Sequence, residues 1–287
     1  MKRVYIWLML LPSIVLLVTF VHYPAIATII DSFFSNKTVF RPRTFVGFDN
    51  YAQLLNDKVF LITLKNSFIY SFGTVPFVIA ISLAMALFVN KKFAGKGMIR
   101  LIYFTPTILP MVAVANIWLF FYSPEIGLFN KILQFFGFRG YNWLGDVDTV
   151  LPSIMVMTIW KEAGFFMIFY LAALQSLPKE LYEAAKVEGA SNWLIFRRIT
   201  FPLLMPTTFF VMVNAVLNSF KLVDHVLILT KGGPDNASNL LLYYIYETAF
   251  AFFDNAYAST LTVVLLIILV FLSLFQFRFI EKKIHYA

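Results

Sequence analysis

Asn66-Ser67-Phe68-Ile69-Tyr70-Ser71-Phe72-Gly73-Thr74-Val75-Pro76-Phe77-Val78-Ile79-Ala80-Ile81-Ser82-Leu83-Ala84-Met85-Ala86-Leu87-Phe88-Val89 runs through the chain without one charged residue. A helix rises about 1.5 Å per residue, so about 20 such residues cross a hydrocarbon core roughly 30 Å thick. Five more stretches read the same way: Tyr5–Ile30, Leu101–Tyr122, Val150–Leu174, Phe201–Thr230 and Tyr257–Phe279. Eight of the twelve prolines lie within these stretches, a habit of transmembrane helices. Composition agrees. The 287 residues are 60% hydrophobic and 13% charged, against roughly 45–50% and 25% in a soluble domain, and mean hydropathy is +0.79. The expected fold is an all-α integral membrane protein with six transmembrane helices.

The first stretch follows Met1-Lys2-Arg3 and contains Ala25-Ile26-Ala27, which imitates a secretory signal. Its apolar run is well beyond the 7–15 residues of a signal core, so it reads as a retained span. Leu240–Phe253 is short and carries Glu247, and is expected to lie along the interface or pad the outer ends of the spans rather than cross. Zero cysteines exclude disulfides, thiolate metal sites and thiol catalysis.

A net charge of +8 would point to nucleic acid in a soluble chain. Here it is explained by loading of one set of loops: Lys2 and Arg3; Lys91, Lys92, Lys96 and Arg100; Lys179, Lys186, Arg197 and Arg198; Arg278, Lys282 and Lys283. The opposite loops, 31–60, 123–149 and 231–256, hold fewer cations over greater length. The positive-inside rule therefore predicts both termini in the cytoplasm.

Enzyme motifs are missing. Gly95-Lys96-Gly97 approaches a phosphate loop, but Asn90 and Gly97 occupy positions that require Gly and Ser or Thr. His22, His225 and His285 are too scattered to suggest a metal site. No nucleotide, metal or cofactor is expected in this chain.

The loop Leu177–Pro202 carries the strongest signal. Pro178 suits a helix start, and Glu180 and Glu183 suit its positive end. Gly189 can end that helix in a left-handed cap, and Ser191 can cap the next. Ala184, Ala185, Gly189 and Ala190 leave small side chains where another backbone can approach. Those residues alone fit either an interfacial linker or a docking element.

Glu183-Ala184-Ala185, Gly189-Ala190 and Ile199-x-x-Pro202 resemble the EAA loop of binding-protein-dependent ABC importer permeases, with Phe201 where that pattern usually has Leu. Leu11-Pro12 with Tyr23-Pro24, Phe45-Val46-Gly47-Phe48-Asp49-Asn50-Tyr51 and Leu229-Thr230-Lys231-Gly232-Gly233-Pro234 look like the carbohydrate branch of that family. Gln276-Phe277-Arg278-Phe279-x-Glu281-x-Lys283 is similar to its glycerol-3-phosphate permeases. The resemblance implies a type I ABC importer permease fold divided into an N-terminal helix and outer loop (1–60), a transmembrane domain (61–280) whose coupling loop spans 177–202, and a tail (281–287). It further implies a homologous second permease, two ATP-binding cassette subunits holding ATP and Mg²⁺, and an extracytoplasmic solute-binding protein. The setting is an inner membrane, with lipid and no nucleic acid as partner.

Ionisable residues inside spans default to a functional reading. Lys161 and Glu162 lie in the fourth span beside Gly164. Asn214, Asn218, Lys221 and Asp224 recur in the fifth at a helical spacing that puts them on one face. The resemblance implies that these spans line the solute path, near Ser219–Leu222. Two plainer readings stay open: Lys221 and Asp224 neutralise each other, or Lys161 snorkels to an interface. A neutral sugar would use amides, charged ends and aromatic faces, whereas a phosphorylated polyol would favour Lys161 or Lys221. The sequence leaves that choice open, and Asp224 and Glu162 would also suit an ion-coupled secondary transporter.

Overall fold

The computed structural model describes residues 2–37, 42–91 and 93–280. Arg41, Lys92 and the tail 281–287, with Glu281, Lys282, Lys283 and His285, lie outside the described residues. Helices dominate them, and among them the only β pairing is an isolated bridge between Phe34 and Phe45. Among the described residues five helices are long and apolar enough to span: α1 Trp7–Asp31, α3 Lys58–Asn90, α7 Val147–Ser176, Met205–Leu229 and Asn255–Arg278. A sixth span is a bent pair, α4 Lys96–Ile108 and α5 Met111–Phe121. The shorter helices are α2 Asp49–Asn56, α6 Leu128–Phe135, α8 Lys179–Val187, α9 Asn192–Ile195 and α12 Leu241–Phe250; the α-helical part of the last span is α13 Asn255–Phe275.

Two expectations are corrected. The third span is no straight helix: α4 and α5 meet at 100°. Pro110 pushes Leu109 out of the helical region (φ −69°, ψ 134°), because a proline ring clashes with a helical residue before it. The fifth span begins at Met205 rather than Phe201 and is also interrupted. It comprises α10 Met205–Lys221 and α11 Asp224–Leu229, with Leu222 extended between them (φ −88°, ψ 121°). Asp224 therefore opens a new helix, where its carboxylate suits the positive end, and does not continue the face of Asn214, Asn218 and Lys221.

The chain divides into two compact units. One comprises Met1–Leu61 and Leu241–Ile268, a grouping that places α12 and most of α13 with the N-terminal part rather than with 61–280. Its hub is Asp57. One carboxylate oxygen accepts from the backbone amides of Val59 (2.8 Å) and Phe60 (3.2 Å), capping α3; the other accepts from the hydroxyls of Tyr244 and Tyr257, both at 2.7 Å. Burial pushes this carboxyl up, but the bonds from Tyr257, Tyr244, Phe60 and Val59 outweigh it and hold it below the usual carboxylate range. In the same unit Ser32 meets the Tyr51 hydroxyl at 2.7 Å, and Asn50 donates to the carbonyls of Ser32 and Phe34. α12 turns Leu241, Tyr243, Tyr244 and Thr248 inward.

The second unit comprises Ile62–Leu240 and Leu269–Ala287. Its core joins α3, α7 and α10 through Val78, Val89, Phe166, Tyr170, Val211 and Ala215. At Gly73, where α3 meets α7, a Cβ would stand 2.7 Å from the Met155 sulfur and would require that side chain to shift. Outside the spans, the loop after α5 folds around buried Asn130. Its amide donates to the carbonyls of Pro124 and Tyr141, and its carbonyl accepts from the Tyr141 amide and the Trp143 indole. The loop 231–240 is fastened by Asn66 on α3, whose amide nitrogen lies within 2.9–3.2 Å of the carbonyls of Asn236, Ala237 and Asn239.

Candidate functional site

The loop 177–202 folds as a compact helical turn. Pro178 caps α8, which ends at Val187; Gly189 follows with φ +78°, and the Ala190 amide closes the end on the Ala185 carbonyl at 2.9 Å. This is a left-handed cap that glycine adopts without side-chain strain. Ser191 then caps α9 through the Leu194 amide, and a wider turn over Phe196–Thr200 leads toward α10. The Tyr182 hydroxyl meets Thr200 at 3.1 Å and ties the two arms together.

Within this loop Ala185 is buried as packing, whereas Glu183, Ala184 and Gly189 are exposed and Ala190 is half-buried. A Cβ at Gly189 would meet nothing within 4 Å. Leu181, Val187 and Trp193 are exposed too, Val187 at 89%. Sequence reading singled out the small residues and missed these apolar ones. Their signal was available: apolar side chains in a helix otherwise charged enough to face water.

In the membrane region Glu162, Asn218, Ser219, Thr74 and Thr158 meet the apolar side chains of Val75, Val78, Phe166, Ala215 and Leu222 around a small cleft among α3, α7 and α10. Asn218 donates to Glu162 over a long 3.4 Å, and Ser219 donates to Ser71 at 2.8 Å. Beside the cleft the Tyr70 hydroxyl donates to Thr158 at 2.7 Å and lies 3.2 Å from His225, which stacks on the Tyr70 ring. The open space is about 10 Å³, enough for one water and not for a sugar. Passage of anything larger requires these helices to move apart.

The remaining candidates lie elsewhere. Lys161, only 9% exposed, donates from Nζ to the carbonyls of Leu109 (2.7 Å) and Pro106 (3.1 Å). Those acceptors belong to the last turn of α4, left without helical partners by the break. Thr107 returns a bond to the Lys161 carbonyl at 3.3 Å. Gly164 faces the Tyr103 carbonyl so closely that any side chain would collide with it. Asn214 bonds within its own helix to Phe210, and Lys221 and Asp224 are exposed. The structure thus brings Glu162, Asn218 and Ser219 together, and gives Lys161 and Gly164 to the α4–α7 joint.

Residues 77–286 match the family described as "Binding-protein-dependent transport system inner membrane component". The chain belongs to that family. The permease is 33% identical over 279 residues to the probable ABC transporter permease protein YurN of Bacillus subtilis, covering 96% of this chain and 95% of that one. It is 32% identical to the sn-glycerol-3-phosphate transport system permease protein UgpA of Agrobacterium fabrum (98% and 96% covered) and 31% identical to the trehalose/maltose transport system permease protein MalF of Thermococcus litoralis (95% and 94%). A crystal structure of a bacterial ABC transporter involved in the import of the acidic polysaccharide alginate superposes with a TM-score of 0.83 at 26% identity, covering 97% of the permease and 96% of that chain. The chain is a multi-pass permease subunit of an ABC importer, which displaces the ion-coupled alternative.

Proposed function

We propose that this permease moves a sugar or related polyol inward across the cell inner membrane. It pairs with a homologous second permease, and two separate ATP-binding cassette subunits supply the energy by hydrolysing ATP with Mg²⁺. An extracytoplasmic solute-binding protein delivers the cargo to the outer loops, and both termini lie in the cytoplasm. The relatives named for glycerol-3-phosphate and for trehalose and maltose support this cargo class. One observation carries the mechanism: the exposed loop 177–202 joins α7 directly to α10, the helices that bear Glu162 and Asn218. A force on the loop therefore acts on two walls of the cleft without any intervening element. ATP-driven closure of the cassette subunits would shift the loop, and the rocking of α7 against α10 would alternate access. Glu183, Ala184, Ala185, Gly189 and Ala190 form the coupling element, and Glu162, Asn218 and Ser219 the part of the path in this chain.

The test uses the assembled complex. Solute with its binding protein should stimulate ATP hydrolysis, and uptake should require both. ATP hydrolysis and uptake that proceed with loop 177–202 replaced by an unrelated linker would overturn the coupling role.

A further inference from the structure

The cleft carries charge of only one sign. Among the described residues Glu162 is the sole ionisable group that lines it, with no Lys, Arg or His beside it in the lining. The adjacent cation is spent elsewhere: the ammonium of Lys161 is engaged by the Pro106 and Leu109 carbonyls on the α4 side of α7. Lys221 lies exposed beyond the lining. Successive side chains on a helix diverge by about 100°, so Lys161 and Glu162 serve different neighbours even though they are adjacent in sequence.

We propose that the cargo is an uncharged polyhydroxyl compound, and that Glu162 is the residue of this chain that selects against phosphate, sulfonate or carboxylate groups. The inference rests on the importer reading above and narrows its cargo. A sugar hydroxyl both donates and accepts, so one hydroxyl can donate to the Glu162 carboxylate while accepting from the Asn218 amide. The 3.4 Å between those two groups is a weak bond, easily exchanged for such an insertion. The hydroxyls of Thr74, Thr158 and Ser219 line the same wall, bonded within the chain to Tyr70 and Ser71, so the Glu162–Asn218 pair is the polar contact left to exchange. An anion finds no compensating charge here. Ionised, Glu162 repels it through a medium that screens poorly; neutral, Glu162 still offers it no cation.

The experiment uses the complete complex in proteoliposomes, with its own second permease, cassette subunits and binding protein. ATP-dependent uptake and solute-stimulated ATP hydrolysis are measured with paired probes: maltose and maltose 6′-phosphate, trehalose and trehalose 6-phosphate, glycerol and glycerol 3-phosphate. Stimulation by neutral members only is expected. Glu162→Gln should raise the KM for the neutral cargo about tenfold, as loss of a charged acceptor does. Lys161→Met should lower the amount of assembled complex without altering the neutral-over-anionic preference of what remains. Transport of a phosphorylated probe at a rate comparable to its neutral partner would overturn the inference, most directly if Lys161→Met abolished it at normal abundance. Neutral uptake with a wild-type KM in Glu162→Gln would also overturn it, leaving the importer reading intact. If the fully assembled complex moved none of the probes and no solute stimulated it, the importer reading and this inference would both fall.

Discussion

Lys161 reaches across from α7 to hold the carbonyls of Leu109 at 2.7 Å and Pro106 at 3.1 Å, the groups that the 100° bend at Pro110 leaves without helical partners. A helix end in hydrocarbon leaves carbonyls that water cannot reach, and each unsatisfied group costs several kcal/mol. A cation suits the negative end of α4, and burial forces it to stay there.

Lys161→Met should therefore act on folding. It leaves the Pro106 and Leu109 carbonyls unpaired, at roughly 1–3 kcal/mol each. Detergent-solubilised protein should show a lower melting temperature and lower abundance, with Lys161→Arg milder because it restores donors. Unchanged melting in the Met variant would show that the break stands without its cap.

Asp57 offers a pH test in the other unit. Its folded-state pKa lies below its unfolded value, so its contribution is present above about pH 4 and is lost as pH falls through the folded value. Melting temperature should drop on acidification below about pH 4, and Asp57→Asn should both lower it at neutral pH and flatten part of that drop. An acid profile identical in both proteins would remove Asp57 as the cause.

The orientation can be read chemically. Cysteines placed at Lys96 and Ser191 should react with an impermeant reagent only from the cytoplasmic side, and those at Asp49 and Asp235 only from outside. Labelling of the Ser191 position from outside intact cells would invert the loops and remove the coupling role.

At the cleft, Asn218→Leu should reduce uptake at least tenfold with normal assembly, because it removes one side of the Glu162–Asn218 pair from a wall that must accept hydroxyls. Lys221→Met, outside that wall, should leave KM near wild type. Loss of the Asn218 variant from the membrane would instead mark a packing position. A large KM change in the Lys221 variant would place the path on the exposed face of α10.

The spans were legible because an uncharged run of more than 20 residues has few other fates. The breaks were not. Pro12, Pro76, Pro106 and Pro152 all sit inside helices that continue, so Pro110 gave no distinguishing sign; what separates it is a distant lysine able to satisfy the freed carbonyls. The same blindness hid Asn66, Asp57 and Asn130, whose partners lie on other elements. The loop at 177–202 was legible since its helix start, cap glycine and capping serine are local signals, whereas the stripe on the fifth span failed at Asp224 because helical spacing assumes an unbroken helix.

Coupling makes the sharpest demand, because the two costs of Gly189→Leu can be separated. Within this chain a Cβ at Gly189 meets nothing within 4 Å, so the main internal cost is the left-handed backbone at φ +78°, about 1 kcal/mol. That should barely change the melting temperature of the isolated permease. Any large effect must then come from a partner surface that the added volume holds away, where overpacking costs roughly 1–3 kcal/mol. Pull-downs should retain the second permease and lose the cassette subunits, with solute-stimulated ATP hydrolysis falling in parallel. Glu183→Ala should be milder, since it removes one exposed charge at a wet rim. Gly189→Ala divides the two costs further: it keeps nearly all of the backbone strain and adds little volume, so it should behave like wild type in the pull-down. Full retention of the cassette subunits and full stimulation in Gly189→Leu would make the loop a linker and nothing more.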